Sequence, residues 1–98
     1  MIIRIVKMTF REEEVAPFLA KLATRQDRIR AFEGCSYLQV LQDKQHPNII
    51  FSHSYWIDEA ALNKYRNSAF FKETWKFTKP KFSAPAEAWS LQNLTELK

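Results

Sequence analysis

The chain has a single cysteine and a single glycine among its 98 residues. One thiol, Cys35, excludes an intrachain disulfide and suits a reducing compartment, so a cytoplasmic protein is expected. Cys35 itself reads as a buried small hydrophobe, because no histidine lies near it in sequence to activate it as a nucleophile. With so little glycine there is no phosphate-cradling loop and no dinucleotide fingerprint, and no Ser-His-Asp order is present. Histidine is scarce too. His46 falls in a turn and His53 on a strand, so no metal site is expected from them. No apolar run approaches the roughly 18 residues of a membrane-spanning helix, and Met1-Ile-Ile-Arg-Ile5 lacks the marks of a signal peptide. The net charge of +4 is spread among acids with no dense basic run, so nucleic acid is not an expected partner.

Aromatic residues are plentiful by comparison: eight Phe, three Tyr and three Trp make up 14% of the chain. Together with a hydrophobic share of 46% they exceed the needs of a minimal core, and some are expected to line a pocket or a subunit interface. The length fits one domain, residues 1–98.

Ile2 to Phe10 mixes β-branched and apolar residues with isolated cations at Arg4 and Lys7, the pattern of a strand buried on parts of both faces. Glu12 to Glu14 then introduce an apolar series at Val15, Phe18, Leu19, Leu22 and Ile29, interrupted at Gln26, with Arg25, Arg28 and Arg30 at the far end. Acids first and bases last suit one helix dipole, and Pro17 places the start near Glu13. Glu33-Gly34 is expected to end this helix with a left-handed cap. Cys35–Gln42 and Ile49–Trp56 read as a hairpin around Asp43 to Asn48. Asp58 and Ser68 are placed to cap two short helices, the second interrupted at Pro80, and Glu87 to Leu94 reads as a last strand. The order β-α-β-β-α-β predicts an α+β, ferredoxin-like fold with an antiparallel sheet covered by helices on one face. On the third strand Ile50, Ser52, Ser54 and Trp56 alternate with Ile49, Phe51, His53 and Tyr55. Neither set is solvent-like, so a second copy of the sheet is expected to cover the bare face as a homodimer.

Glu33-Gly34-Cys35 resembles the Pro-Gly-Cys that opens the second strand of antibiotic biosynthesis monooxygenase-like domains. Trp56, Asp58-Glu59-Ala60-Ala61-Leu62, Tyr65, Ser68 and Phe71 resemble that family's Trp, acidic-Ala, His, Ser and Phe series, and Ala88-Trp89-Ser90 falls on its last strand. The resemblance covers nearly the whole chain. It implies a dimeric α+β barrel with a small-molecule pocket between sheet and helices in each subunit. It also implies a range of activities: cofactor-independent oxidation of quinols or phenols, haem degradation, isomerisation, or none assigned. Tyr65 stands where many members carry His, and Ser54 where a Glu is common two residues before the strand-ending Trp. In the haem-degrading branch, helical Trp and His positions fall on Tyr65 and Trp75, and the first strand lacks that branch's Asn. A Tyr can ligate ferric haem, which leaves haem binding open.

Trp56, Tyr65, Phe71 and Trp75 are the candidate substrate-binding residues, Phe71 and Trp75 sharing one helical face four residues apart. The same aromatics, with Phe70, would equally serve as packing between sheet and helices. Arg4 shares parity with Val6 and Met8 and could meet an anionic or phenolate group, or lie along an edge with its head in water. Ser54 could donate to a ligand oxygen or satisfy a neighbour. Tyr65, Arg4 and Ser54 are thus the catalytic candidates, with no metal and no cofactor expected. The expected function is a cofactor-independent monooxygenase acting on a small phenolic or quinol-type aromatic. The alternatives are a non-catalytic dimeric module binding a small aromatic molecule, or an isomerase using Tyr65.

Overall fold

A computed structural model describes residues 1–98. The two strands richest in β-branched and aromatic residues, β1 (Ile2–Thr9) and β3 (Ile49–Trp56), pair antiparallel at the centre of a four-stranded sheet. β2 (Cys35–Gln42) and β4 (Glu87–Leu91) flank them in the order β2-β3-β1-β4, the ferredoxin-like arrangement expected of the element order. Register places Leu38, Ser54, Arg4 and Ser90 in one cross-strand row and Val40, Ser52, Val6 and Ala88 in the next. Both rows face the helices.

The opposite face carries the other alternation set. Tyr37 and Tyr55 stack with ring centroids 4.6 Å apart, and His53 meets both edge-on at 5.5 and 5.2 Å. Beside them Leu41, Trp89 and Leu91 stay 43%, 42% and 45% exposed. A bulge between Cys35 and Tyr37 creates this split. Strict alternation would put both side chains on one face; the extra residue, Ser36, lets Cys35 join Trp56 and Leu62 in the core while Tyr37 turns the other way.

The structure departs from the sequence reading in three places. The single first helix is two: α1 (Val15–Ala23), preceded by a 3₁₀ turn at Glu12–Glu14, and α2 (Gln26–Arg30). The break coincides with the polar interruption at Gln26. There the Thr24 and Arg25 amides donate to the i−3 carbonyls of Lys21 and Leu22, tightening the turn. This frees the Arg25 side chain to reach Glu73 Oε1 at 2.7 Å and to lie over the Phe70 ring. Second, Gly34 does not cap that helix, which ends at Arg30. It adopts φ +89° in the turn into β2, and a Cβ there would lie 2.5 Å from Ala61 Cβ, so both the left-handed backbone and the close approach of the following helix require glycine. Third, β4 stops at Leu91 because its partner Ile3 is nearly the first residue of β1; Leu94 lies beyond the ladder.

α3 (Glu59–Arg66) and α4 (Ala69–Thr78) start where the sequence places their caps. Asp58 Oδ1 accepts from Ala61 N at 2.8 Å, and Ser68 Oγ accepts from Phe71 N at 3.1 Å. A second 3₁₀ turn at Lys79–Lys81 accommodates Pro80. The core forms two clusters, one around Met8, Phe10, Phe18 and Ile50, the other around Cys35, Trp56 and Leu62. Between them the interior is open.

Candidate functional site

That opening is a cavity of about 340 Å³ between the helix-facing side of the sheet and α1, α3 and α4, with Met8 and Phe18 from one core cluster and Trp56 and Leu62 from the other in its walls. Its helical wall depends on one serine. Ser68 Oγ donates to the Tyr65 carbonyl at 2.6 Å while capping α4 through Phe71 N, which fixes the last turn of α3 against the first turn of α4. Tyr65 and Phe71 are thereby brought edge to face at 5.1 Å. Tyr65 stacks on Trp56 at 4.9 Å, and Phe71 lies parallel to Trp75 at 6.0 Å. Trp56, Tyr65, Phe71 and Trp75 form one continuous aromatic wall. Phe70 points elsewhere: it is buried against Phe32 and beneath Arg25 and Arg28.

The polar groups of the cavity differ in how far the protein already uses them. Ser54 Oγ accepts the indole N–H of Trp56 at 3.0 Å, so it satisfies a neighbour; Trp56 is 1% exposed and Ser54 6%. Thr74 and Thr78 turn back onto the helix, donating to the carbonyls of Phe70 and Thr74 at 2.9 and 2.8 Å. Tyr65 is different. No buried polar atom is sealed off without a partner, and no protein group bonds the hydroxyl of Tyr65, a cavity-lining residue, which therefore keeps contact with water-accessible space. Burial, with a smaller contribution from Cys35, pushes its pKa well above the ordinary tyrosine value. It is a hydrogen-bond donor at neutral pH and a poor base.

Arg4 lines the cavity from the sheet, its Nη1 donating to Ser90 Oγ at 2.9 Å. A residue not singled out from the sequence joins it: Arg66, in the last turn of α3. The signal was its spacing, four residues after Leu62 and so on the same helical face as a buried cavity residue, but a base in a last turn is equally what a helix dipole favours. No aspartate, glutamate, histidine or cysteine lines the cavity, and no group of three or more such residues could hold a metal ion anywhere in the fold. Tyr65 is a lining side chain of a kind that ligates haem iron, and no histidine or cysteine accompanies it. His53 lies on the bare sheet face, its Nδ1 3.3 Å from Gln39 Oε1, and His46 in the β2–β3 turn.

A ferredoxin-like α+β domain with an aromatic cavity under its helices defines a structural class, and comparison with known proteins narrows it. The family model described as antibiotic biosynthesis monooxygenase matches residues 1–76. The chain belongs to the antibiotic biosynthesis monooxygenase family. Among solved structures, one antibiotic biosynthesis monooxygenase superposes with a TM-score of 0.91 at 15% identity, over 97% of this chain and 100% of that one. A conserved protein from Methanosarcina mazei Go1 gives 0.87 at 25% identity, covering 94% and 92%, and Rv0793 from Mycobacterium tuberculosis gives 0.88 at 16%, covering 99% and 98%. At these identities the likeness is one of fold. No curated protein matches the sequence.

Proposed function

We propose that this single domain, residues 1–98, is a cofactor-independent monooxygenase of a small phenolic or quinol-type aromatic. The observation that carries the reading is the aromatic cavity itself, with the free Tyr65 hydroxyl in its wall, in a chain of a monooxygenase family. A flat electron-rich ring can slide against Trp56, Tyr65, Phe71 and Trp75 by offset or edge contacts. In such chemistry the substrate supplies the electrons: one oxygen atom of O₂ enters the ring carbon, the other leaves as water with the hydrogens lost from carbon and hydroxyl. Tyr65, held neutral, would donate a hydrogen bond to the oxyanion that develops on the substrate, and Arg4 would add positive charge beside it. Oxygen-electrode assays with purified protein and a panel of quinols and hydroxylated aromatics test this. Uptake with matching quinone absorbance is expected for at least one of them, and no uptake above the substrate's own autoxidation across the panel refutes it.

A second reading has its own support in the absence of a general base from the cavity lining. On that reading the domain binds a small aromatic molecule without turning it over, and calorimetry would record binding where the electrode records nothing. Both readings include a homodimer joined through the bare sheet face. The stacked Tyr37, His53 and Tyr55 and the exposed Leu41, Trp89 and Leu91 support it, since they form a contiguous patch of a kind that marks interaction sites.

A further inference from the structure

Two guanidinium groups, Arg4 and Arg66, line one apolar cavity without a carboxylate partner. None of the chain's 11 acidic residues reaches the lining, and no salt bridge involves either arginine. The other four arginines all find a partner in the protein: Arg25 pairs with Glu73 at 2.7 Å and Arg11 with Glu14 at 3.2 Å, Arg28 lies over the Phe70 ring, and Arg30 donates to the Cys35 carbonyl. Arg4 gives one hydrogen bond, to Ser90 Oγ, and Arg66 gives none to the protein, so most of their N–H donors are unused. Bringing two like charges to one cavity mouth is unfavourable to the extent that neither water nor an anion screens them.

We infer that the cavity takes a planar aromatic monocarboxylate, its carboxylate held by Arg4 and Arg66 and its ring against the Trp56–Tyr65–Phe71 wall. This rests on the reading of the cavity as the substrate site and names the substrate class within it, hydroxylated aromatic acids, on which Arg4 holds the carboxylate and Tyr65 alone meets the developing oxyanion. The arginine fork matches a carboxylate in two-point geometry, while a dianion such as a phosphate ester would be costly to desolvate among these apolar walls. Arg66 is exposed and Arg4 half-buried, which places the anion at the mouth, near the β4 edge and Ser90, and the ring inward. Burial, and next the charge of Arg66, hold the Arg4 pKa below its ordinary value. About 340 Å³ lies at the small end of the ~300–1,000 Å³ of ligand pockets, suited to a ligand of about two fused rings.

Calorimetric titration of the full chain with 2-naphthoate and with the neutral, near-isosteric 2-naphthamide at pH 7 tests the inference. Naphthoate should bind at least about tenfold more tightly, the value of one charge-assisted hydrogen bond. Arg66→Gln and Arg4→Gln should each remove most of that preference while leaving naphthamide affinity within about twofold, and Arg66→Lys should restore part of it. Because Arg66 is exposed, its variant remains decisive even if Arg4→Gln impairs folding. Equal binding of acid and amide, or a preference unchanged in Arg66→Gln, overturns the carboxylate subsite while leaving the cavity a binding site. Failure of both probes to bind overturns the subsite and the pocket reading together. Oxygen uptake is scored separately, so a protein that prefers naphthoate but consumes no oxygen retains this inference and loses the oxygenase.

Discussion

Replacing Ser54 by alanine separates two roles the residue could play. Its oxygen is the only protein acceptor for the Trp56 indole N–H, at 3.0 Å, and Trp56 is 1% exposed. Removing that acceptor strands a buried donor, which costs about 1–3 kcal/mol, the lower end applying where cavity water can reach it. For a domain of this size each kcal/mol moves the melting temperature by about 4–8 °C, so a fall of at least about 4 °C is expected. Thermal and urea denaturation followed by far-UV circular dichroism are the suitable assays, the first for the melting temperature and the second for the free energy, since tryptophan emission would respond to the substitution itself. The specificity of the effect follows from a double-mutant cycle with Trp56→Phe. In the phenylalanine background there is no N–H to strand, and Ser54→Ala should cost less than about 0.5 kcal/mol. Equal losses in both backgrounds, or no loss in the parent, would refute the claim that this bond holds Trp56 in the aromatic wall. If Ser54 instead serves a bound ligand, the substitution would leave stability intact and weaken binding.

Two further outcomes are expected. Sedimentation equilibrium at micromolar concentration should give twice the 11.6 kDa chain mass, and Tyr55→Asp, which places a charge beside Tyr37 and His53 on the bare face, should yield a folded monomer; a parent monomer would mean that this face does not join two copies. For Tyr65, burial raises the folded pKa above the unfolded value of about 10. The unfolded chain therefore loses this proton first as pH rises. The sign is that this contribution to stability is fully present below about pH 10 and is lost above it, by up to about 1.4 kcal/mol per pH unit until the folded pKa is reached. Urea midpoints measured from pH 8 to 11 should fall more steeply above pH 10 for the parent than for Tyr65→Phe. Parallel profiles would show that the hydroxyl is not held neutral by burial.

The sheet was legible because its signal is local and repeated. Alternation along β3 separated Ser54 and Trp56 from His53 and Tyr55, and the caps Asp58 and Ser68 marked two helix starts by side-chain chemistry alone. What escaped depends on contacts between distant segments. The break between α1 and α2 shows as one polar residue in an apolar series, and its consequence, Arg25 reaching Glu73, spans 48 positions. The bulge at Ser36 reverses the parity of Cys35 relative to Tyr37, which no count of alternating residues can reveal. Gly34 was read as a helix cap because a cap is the commonest local reason for a left-handed glycine; the actual reason, Ala61 lying against it, belongs to the tertiary fold.

The candidate site divides in the same way. Four aromatic residues at strand and helix spacings could be grouped from the chain alone, yet whether they fill the interior or border a cavity depends on side-chain volumes summed across all four strands and the four α-helices. Arg4 could be placed on the cavity face by parity, while its neighbour Ser90 follows only from the β1–β4 register. Arg66 is the sharpest case. By sequence it is one more base in a last helical turn; in the fold it lines the same cavity as a second arginine, and no acid lines that cavity. An unpaired pair of like charges is a property of the assembled cavity, and it bears directly on the chemistry. A carboxylate carried by the ligand answers the two cations but leaves a ring hydroxyl protonated, and with no carboxylate or histidine in the lining that proton has to leave to water. The two arginines therefore bear on which ligand binds, and the absent base on how fast a bound one reacts.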